Sequence, residues 1–155
     1  MSDRIAIMNH GRVEQVGPPW EIYERPSNAF VGRFLGEANL IECTVTQVVN
    51  GEAVLRSRDG LALRARCSEP AAVDRAASMF VRPEKLGFGE SRAGNRVEGT
   101  VRRRSFLGSM IRTLVDIAPA MQLTVDQPNL HSGGPEIGER VTVSWSVAHS
   151  QVLFE

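Results

Sequence analysis

Residues 39–67, NLIECTVTQVVNGEAVLRSRDGLALRARC, decide the architecture. Ile41, Cys43, Val45, Gln47 and Val49 alternate with Glu42, Thr44 and Thr46, the period-two pattern of a strand with one face turned inward. Asn50-Gly51 supplies a turn, because both residues tolerate positive φ. Residues 52–58 and 61–67 then read as a hairpin around Asp59-Gly60. Three strands joined by tight turns predict a β body with sequential antiparallel pairing.

Downstream the pattern continues. Met79 to Arg82 reads as a strand stopped by Pro83, and residues 87–95 read as a Gly-bearing polar loop. Runs at 97–106, 110–117, 121–126, 140–145 and 152–154 supply further strands. Residues 68–78 are compatible with either a helical turn or a loop. About nine short strands at close spacing predict a Greek-key barrel or a pair of small barrels. The halves before and after Gly89 are candidates for two related OB-like modules, although no clean repeat is visible.

Upstream the grammar differs. Residues 4–8 and 12–16 are two β-type runs joined by Asn9-His10-Gly11, and the first is apolar enough for a strand buried on both faces of a larger sheet. Pro18-Pro19 opens a short helix in which Trp20 and Tyr23 share a face, and Pro26 stops it. Ser27 is the expected N-cap of a second helix carrying Phe30, Val31, Phe34 and Leu35 on one apolar face, with Gly36 as its stop.

Bulk properties bound the function. The 155 residues carry 18 Lys+Arg against 18 Asp+Glu, so no net field steers the chain to nucleic acid or to an anionic membrane. No stretch approaches the roughly 20 apolar residues of a membrane span, and no secretory leader pattern opens the chain. Cys43 and Cys67 lack CxxC spacing or a flanking His and read as small apolar residues in a reducing, cytoplasmic setting.

Residues 2–36 resemble the closing stretch of an ABC-importer ATPase domain. The resemblance rests on Ser2-Asp3-Arg4-Ile5, Gly11-Arg12-Val13-Glu14-Gln15-Val16-Gly17, Tyr23-Glu24-Arg25-Pro26 and Phe30-Val31 followed by Phe34-Leu35-Gly36. Glu37-Ala38-Asn39, Val81-Arg82-Pro83-Glu84, Phe106-Leu107-Gly108-Ser109 and Val143-Ser144-Trp145 resemble recurrent points of the TOBE-type accessory domain of such subunits. The resemblance implies a mainly β chain in which residues 1–36 are an ATPase-domain remnant and residues 37–155 an OB-like TOBE regulatory domain. It points to the branch importing polyamines or similar small polar solutes. It further implies a homodimer, contact with membrane permease subunits through the ATPase part, and a cytoplasmic place at the inner membrane. ATP and Mg belong to the intact subunit; nothing here fits GxxxxGK[ST], so this chain is expected to hold no cofactor and to hydrolyse nothing. Met1 is open to three readings: an internal methionine of a longer parent, the start of a truncated version, or the native start of a split gene. His10 lies in a turn and does not match the nucleotide-sensing histidine of the family.

Arg82, Pro83 and Glu84 form the leading candidate constellation, either an ion pair between modules or subunits or a local salt bridge closing a strand. Phe106, Gly108 and Trp145 are further candidates for an interface or structural motif. Trp20, Tyr23, Phe30, Phe34 and Leu35 are the expected packing or dimer surface, since the leading 36 residues are fewer than the roughly 40 usually needed to fold alone. Arg102-Arg103-Arg104 is basic, but alternation turns Arg103 away from its neighbours and base-stacking aromatics are scarce, which argues against nucleic acid. Gly87-Phe88-Gly89 and Ser132-Gly133-Gly134 read as turns rather than anion loops. His131 and His149 lack partners at metal-ligand spacing. As the alternative, Ser105, Ser109 and Thr113 offer hydroxyls for an oxyanion-sensing module.

Overall fold

The structure is a computed structural model that describes residues 2–68, 73–89, 94–118, 120–130 and 133–154. Met1, His131 and Ser132 lie outside the described residues. The N-terminal hairpin pairs β1 (Ile5–Asn9) with β2 (Arg12–Gly17) through a turn with positive φ at His10 and Gly11. Helix α1 (Pro19–Glu24) begins on the expected proline. Helix α2 (Ala29–Phe34) is capped by Asn28, whose side chain accepts from the Val31 N–H at 2.9 Å. Ser27 was the expected cap, but its hydroxyl donates to the Glu14 carbonyl and its N–H donates to Gln15 Oε1. Ile7, Ile22 and Val31 form a small core of their own, flanked by Ile5 and Leu35. The expected single apolar face of α2 is divided: Val31 is fully buried, while Phe34 is 61% exposed.

A closed barrel follows, ordered β12-β5-β4-β3-β6. Its members are β3 (Asn39–Val49), β4 (Glu52–Ser57), β5 (Ala62–Arg66), β6 (Ala76–Val81) and β12 (Ser150–Leu153). The Asn50-Gly51 turn has φ of 51° and 78°, as the hairpin requires. Strand β6 starts at Ala76, three residues before the strand expected at Met79. Between them run β7 (Gly87–Phe88), β8 (Asn95–Phe106), β9 (Met110–Ala118), β10 (Met121–Pro128) and β11 (Arg140–Trp145), forming a five-stranded sheet ordered β10-β9-β8-β11-β7.

The division into halves at Gly89 therefore needs correction. The last strand of the chain returns to the first barrel, pairing antiparallel with β6 and bridging β5 in parallel at Gln151 and Arg66. Barrel and sheet also share one apolar core, in which Ile41, Val45, Leu55 and Met79 join Val97, Val115, Leu123 and Trp145. Pooling both sets of side chains removes more surface from water than either layer does alone, at about 25 cal/mol per Å² of apolar area. A bulge between Val101 and Arg103 breaks the alternation of β8, so that Arg102 and Arg103 are both exposed instead of facing opposite ways.

Two asparagines join the layers. Asn39, at the head of β3, donates Nδ2 to the Thr124 carbonyl (2.8 Å) and accepts from the Thr124 N–H (2.7 Å), satisfying the free edge of β10. Asn95 does the same in the opposite direction. It donates to the Arg64 carbonyl and accepts from the Arg64 N–H, each at 2.7 Å, so a residue of the sheet fills the thin β5–β12 seam of the barrel. Both are buried, and each primary amide replaces one rung of a β-ladder. Asn95 was expected at the end of a polar loop; it instead begins a strand.

Candidate functional site: the arginine latch

Arg82 closes β6, and its φ of −74° and ψ of 143° keep it extended before Pro83 starts a single 3-10 turn. It is 1% exposed, yet no described carboxylate lies within salt-bridge distance. Its guanidinium instead donates to four carbonyls of the N-terminal segment and the linker behind it. Nε and Nη2 reach the Tyr23 carbonyl (3.2 and 3.0 Å). Nη1 reaches those of Gly32 (2.8 Å), Gly36 (3.3 Å) and Glu37 (3.1 Å).

The flat guanidinium also stacks 3.9 Å from the Tyr23 ring centroid and 4.8 Å from that of Phe80. Burial pushes the Arg82 pKa below its usual value, but a guanidinium stays charged in proteins. The carbonyls left open at the C-terminal ends of α1 and α2 are suited to receive that charge.

Glu84 accepts the Tyr23 hydroxyl at 2.8 Å, and Lys85 pairs with Glu24 at 3.0 Å. Gly32 lets α2 approach: a Cβ there would meet Phe80 Cε2 at 2.9 Å. Gln151 Nε2 donates to the Pro26 carbonyl, adding β12 to the same junction. On the far side Arg112 grips Asp126 with two bonds of 2.9 and 2.8 Å and reaches the Glu37 carboxylate at 3.1 Å. The linker is thus held through its carbonyl by the barrel and through its side chain by the sheet.

The structure brings Arg82, Pro83, Glu84 and Tyr23 together, without the local Arg82–Glu84 salt bridge that would close the strand. Arg82 binds carbonyls, Glu84 binds a phenol, and neither is the other's ion-pair partner. Trp145 is buried in the shared core, with its backbone against Gly94. Phe106 and Gly108 sit at the β8–β9 hairpin, with Phe106 69% exposed. Trp20, Phe30 and Phe34 point outward, while Leu35 packs against the small core. Thr113 is buried and Ser109 exposed, so the three hydroxyls considered for an oxyanion do not share one open face. Sequence reasoning passed over Ile22, Gly32, Asn95 and Gln151. Of these, only Ile22 carried a local signal, its apolar side chain between Trp20 and Tyr23.

Tyr23 is the only tyrosine of the chain, and its hydroxyl titrates late. Burial first, then the hydrogen bond to Glu84, raises its pKa from 10.0 to about 12. The raised folded value means the latch contributes stability in full below pH 10 and loses it as pH climbs through about 12. Absorbance at the phenolate band should therefore give a folded-state midpoint near 12, moving down in Glu84→Ala. A midpoint of 10.0 in the native chain would contradict the contact.

Residues 79–153 match the family model described as TOBE domain, and this range carries Arg82, the whole five-stranded sheet and the closing strand β12. These residues form a TOBE domain. Over its full length the chain is 40% identical to the spermidine/putrescine import ATP-binding protein PotA 1 of Pseudomonas aeruginosa, covering 42% of that protein. It is 38% identical over 99% of its length to PotA of Rubrobacter xylanophilus, covering 41% of it. Against PotA of Methylococcus capsulatus the identity is 36%, with 99% and 41% coverage.

The chain thus spans about two fifths of the length of the curated relatives it matches, and it is similar to those import ATP-binding proteins over nearly its whole length. A solved structure of the cytoplasmic molybdate-binding protein ModG, with molybdate bound, superposes with a TM-score of 0.67 over 76% of this chain and 96% of its own. Identity there is 15%, so that likeness concerns the fold: two five-stranded β layers of TOBE type. No helix among the described residues is long and apolar enough to cross a membrane.

Proposed function

We propose that this chain is the regulatory and dimer-holding end of an ABC-importer ATP-binding subunit serving polyamines or a similar small polar solute. Residues 1–36 are then the closing part of the ATPase domain and residues 37–155 the TOBE-type accessory domain. The observation that carries the reading is the latch: one buried arginine of the TOBE domain binds Tyr23, Gly32, Gly36 and Glu37, spanning both helices of the preceding segment. A rigid joint of this kind makes the accessory domain move with the ATPase part. A contact between accessory domains then keeps two subunits at high effective concentration while their nucleotide sites open.

In this reading ATP and Mg are held by the rest of the subunit, and this chain holds no cofactor and performs no hydrolysis. Its partners are a second copy and, through the ATPase part, the permease subunits, with no nucleic acid and no insertion into the bilayer. Its place is the cytoplasmic side of the inner membrane. Sedimentation of the 155-residue chain checks the dimer-holding role. A concentration-dependent dimer is expected, whereas a monomer at the highest soluble concentration would remove that part of the reading.

A further inference from the structure

A cleft lies on the same junction, beside the latch. It has a volume of about 450 Å³, and its walls come from both sides: Arg25 and Ser27 of the N-terminal segment face Arg66 and Ser68 of the barrel. Among the described residues that line it there is no carboxylate. Arg66 Nε is buried without a hydrogen-bond acceptor, although a buried donor left unmade costs about 1–3 kcal/mol. Arg64, its neighbour on the same face of β5, spends its charge on Glu52; among the described residues Arg66 has no such partner within salt-bridge distance. A third guanidinium, that of Arg75, lies 3.8 Å from the centroid of Phe154, another residue of the cleft wall.

The rest of the wall is already committed. Gln15 bonds the Arg25 carbonyl and the Ser27 N–H, and Gln151 bonds the Pro26 carbonyl. Those bonds hold the loop rigid and leave the guanidinium donors as the unspent chemistry. Planar guanidinium forks match the tetrahedral oxygens of a phosphate group in charge and in geometry.

We propose that this cleft binds a phosphate group, with the guanidinium groups of Arg25 and Arg66 as its two forks. The two arginines together neutralise a dianion. Because one fork comes from each side of the junction, occupancy tightens the attachment of the N-terminal segment to the barrel. The volume admits either free inorganic phosphate or the phosphoryl end of a small metabolite. The site is independent of the dimer-holding reading and does not need it.

Calorimetric and thermal-unfolding titrations with inorganic phosphate and, in parallel, adenosine monophosphate test the site, with chloride matching the ionic strength throughout. Saturable binding and a rising unfolding temperature are expected. Tighter binding of the nucleotide identifies a phosphorylated metabolite as the source; equal affinity identifies free phosphate. Arg66→Gln and Arg25→Gln should each weaken binding by about tenfold or more, and Arg103→Gln, an exposed arginine on the other β layer, by less than about twofold. Arg25 is exposed on a loop, so its variant folds even where loss of Arg66 unsettles β5. Equal losses in all three variants, or no saturation by either ligand above the chloride control, overturn the proposal.

Discussion

Replacing Arg82 by alanine is expected to cost about 3–5 kcal/mol and to free the segment that precedes residue 37. The substitution deletes five hydrogen bonds to four carbonyls and two ring contacts, and it leaves a cavity the size of the largest fully buried side chain. The carbonyls of Tyr23, Gly32, Gly36 and Glu37 lose their charged donor while packed against Phe80 and the linker, where water replaces it poorly. Arg82→Lys keeps the charge but offers one compact ammonium in place of a planar fork, and it should recover less than about half of the loss.

Urea unfolding measures the total, and limited trypsin digestion locates it. Cleavage after Arg33, the basic residue of α2, should accelerate in the alanine variant under conditions in which the barrel stays folded. A loss below about 0.5 kcal/mol, the level of an ordinary surface change, would mean that the latch is not what holds the segment.

Asn39→Leu and Asn95→Leu should each lower stability by about 2–4 kcal/mol. Each leucine is near the asparagine in size but takes the amide partner from one part-buried N–H and one part-buried carbonyl, on Thr124 in the first case and on Arg64 in the second. The Arg64 carbonyl keeps a partial substitute, the Ser150 hydroxyl at 3.1 Å, so the Asn95 variant should suffer less. Because the two amides act at separate joints between the layers, their effects should add within about 0.5 kcal/mol. Chemical denaturation of both single variants and the double one tests this. If Asn39→Leu matched the native midpoint, the free edge of β10 would have to be satisfied in another way.

Much of the local structure was legible because its causes are local. Asn50-Gly51 and Gly11 take the positive φ their hairpins need, although in the N-terminal turn the other such residue is His10 and not Asn9, and the alternation of Ile41, Cys43 and Val45 turns these three inward as the period demands. Pro19 starts α1 where a missing N–H costs nothing. The cap of α2 was misplaced by one residue because Ser27 and Asn28 are both good caps. The choice fell to Gln15, which takes the Ser27 N–H, and to Glu14, whose carbonyl takes the Ser27 hydroxyl and whose carboxylate takes the Asn28 amide.

The candidate site was visible in residue type and hidden in partner. Arg82-Pro83-Glu84 stood out as a charged pair at a strand end. Its acceptors, however, lie between 45 and 59 positions away and are backbone carbonyls, which no side-chain pattern announces. Asn39 and Asn95 are the same case: an asparagine reads as a turn residue until its amide is seen against a peptide unit 85 or 31 residues distant.

By itself the sequence determined that the chain is mainly β after residue 39, that a hairpin and two short helices precede it, and which family it resembles. Periodicity, turn chemistry and proline geometry act within a few residues and leave their marks in order along the chain. Tertiary structure alone decided that β12 returns to close the first barrel, that one core serves both β layers, and that a buried cation fastens the N-terminal segment through its carbonyls. These depend on which surfaces meet after folding, where apolar area and unpaired backbone groups are satisfied by whatever lies near in space.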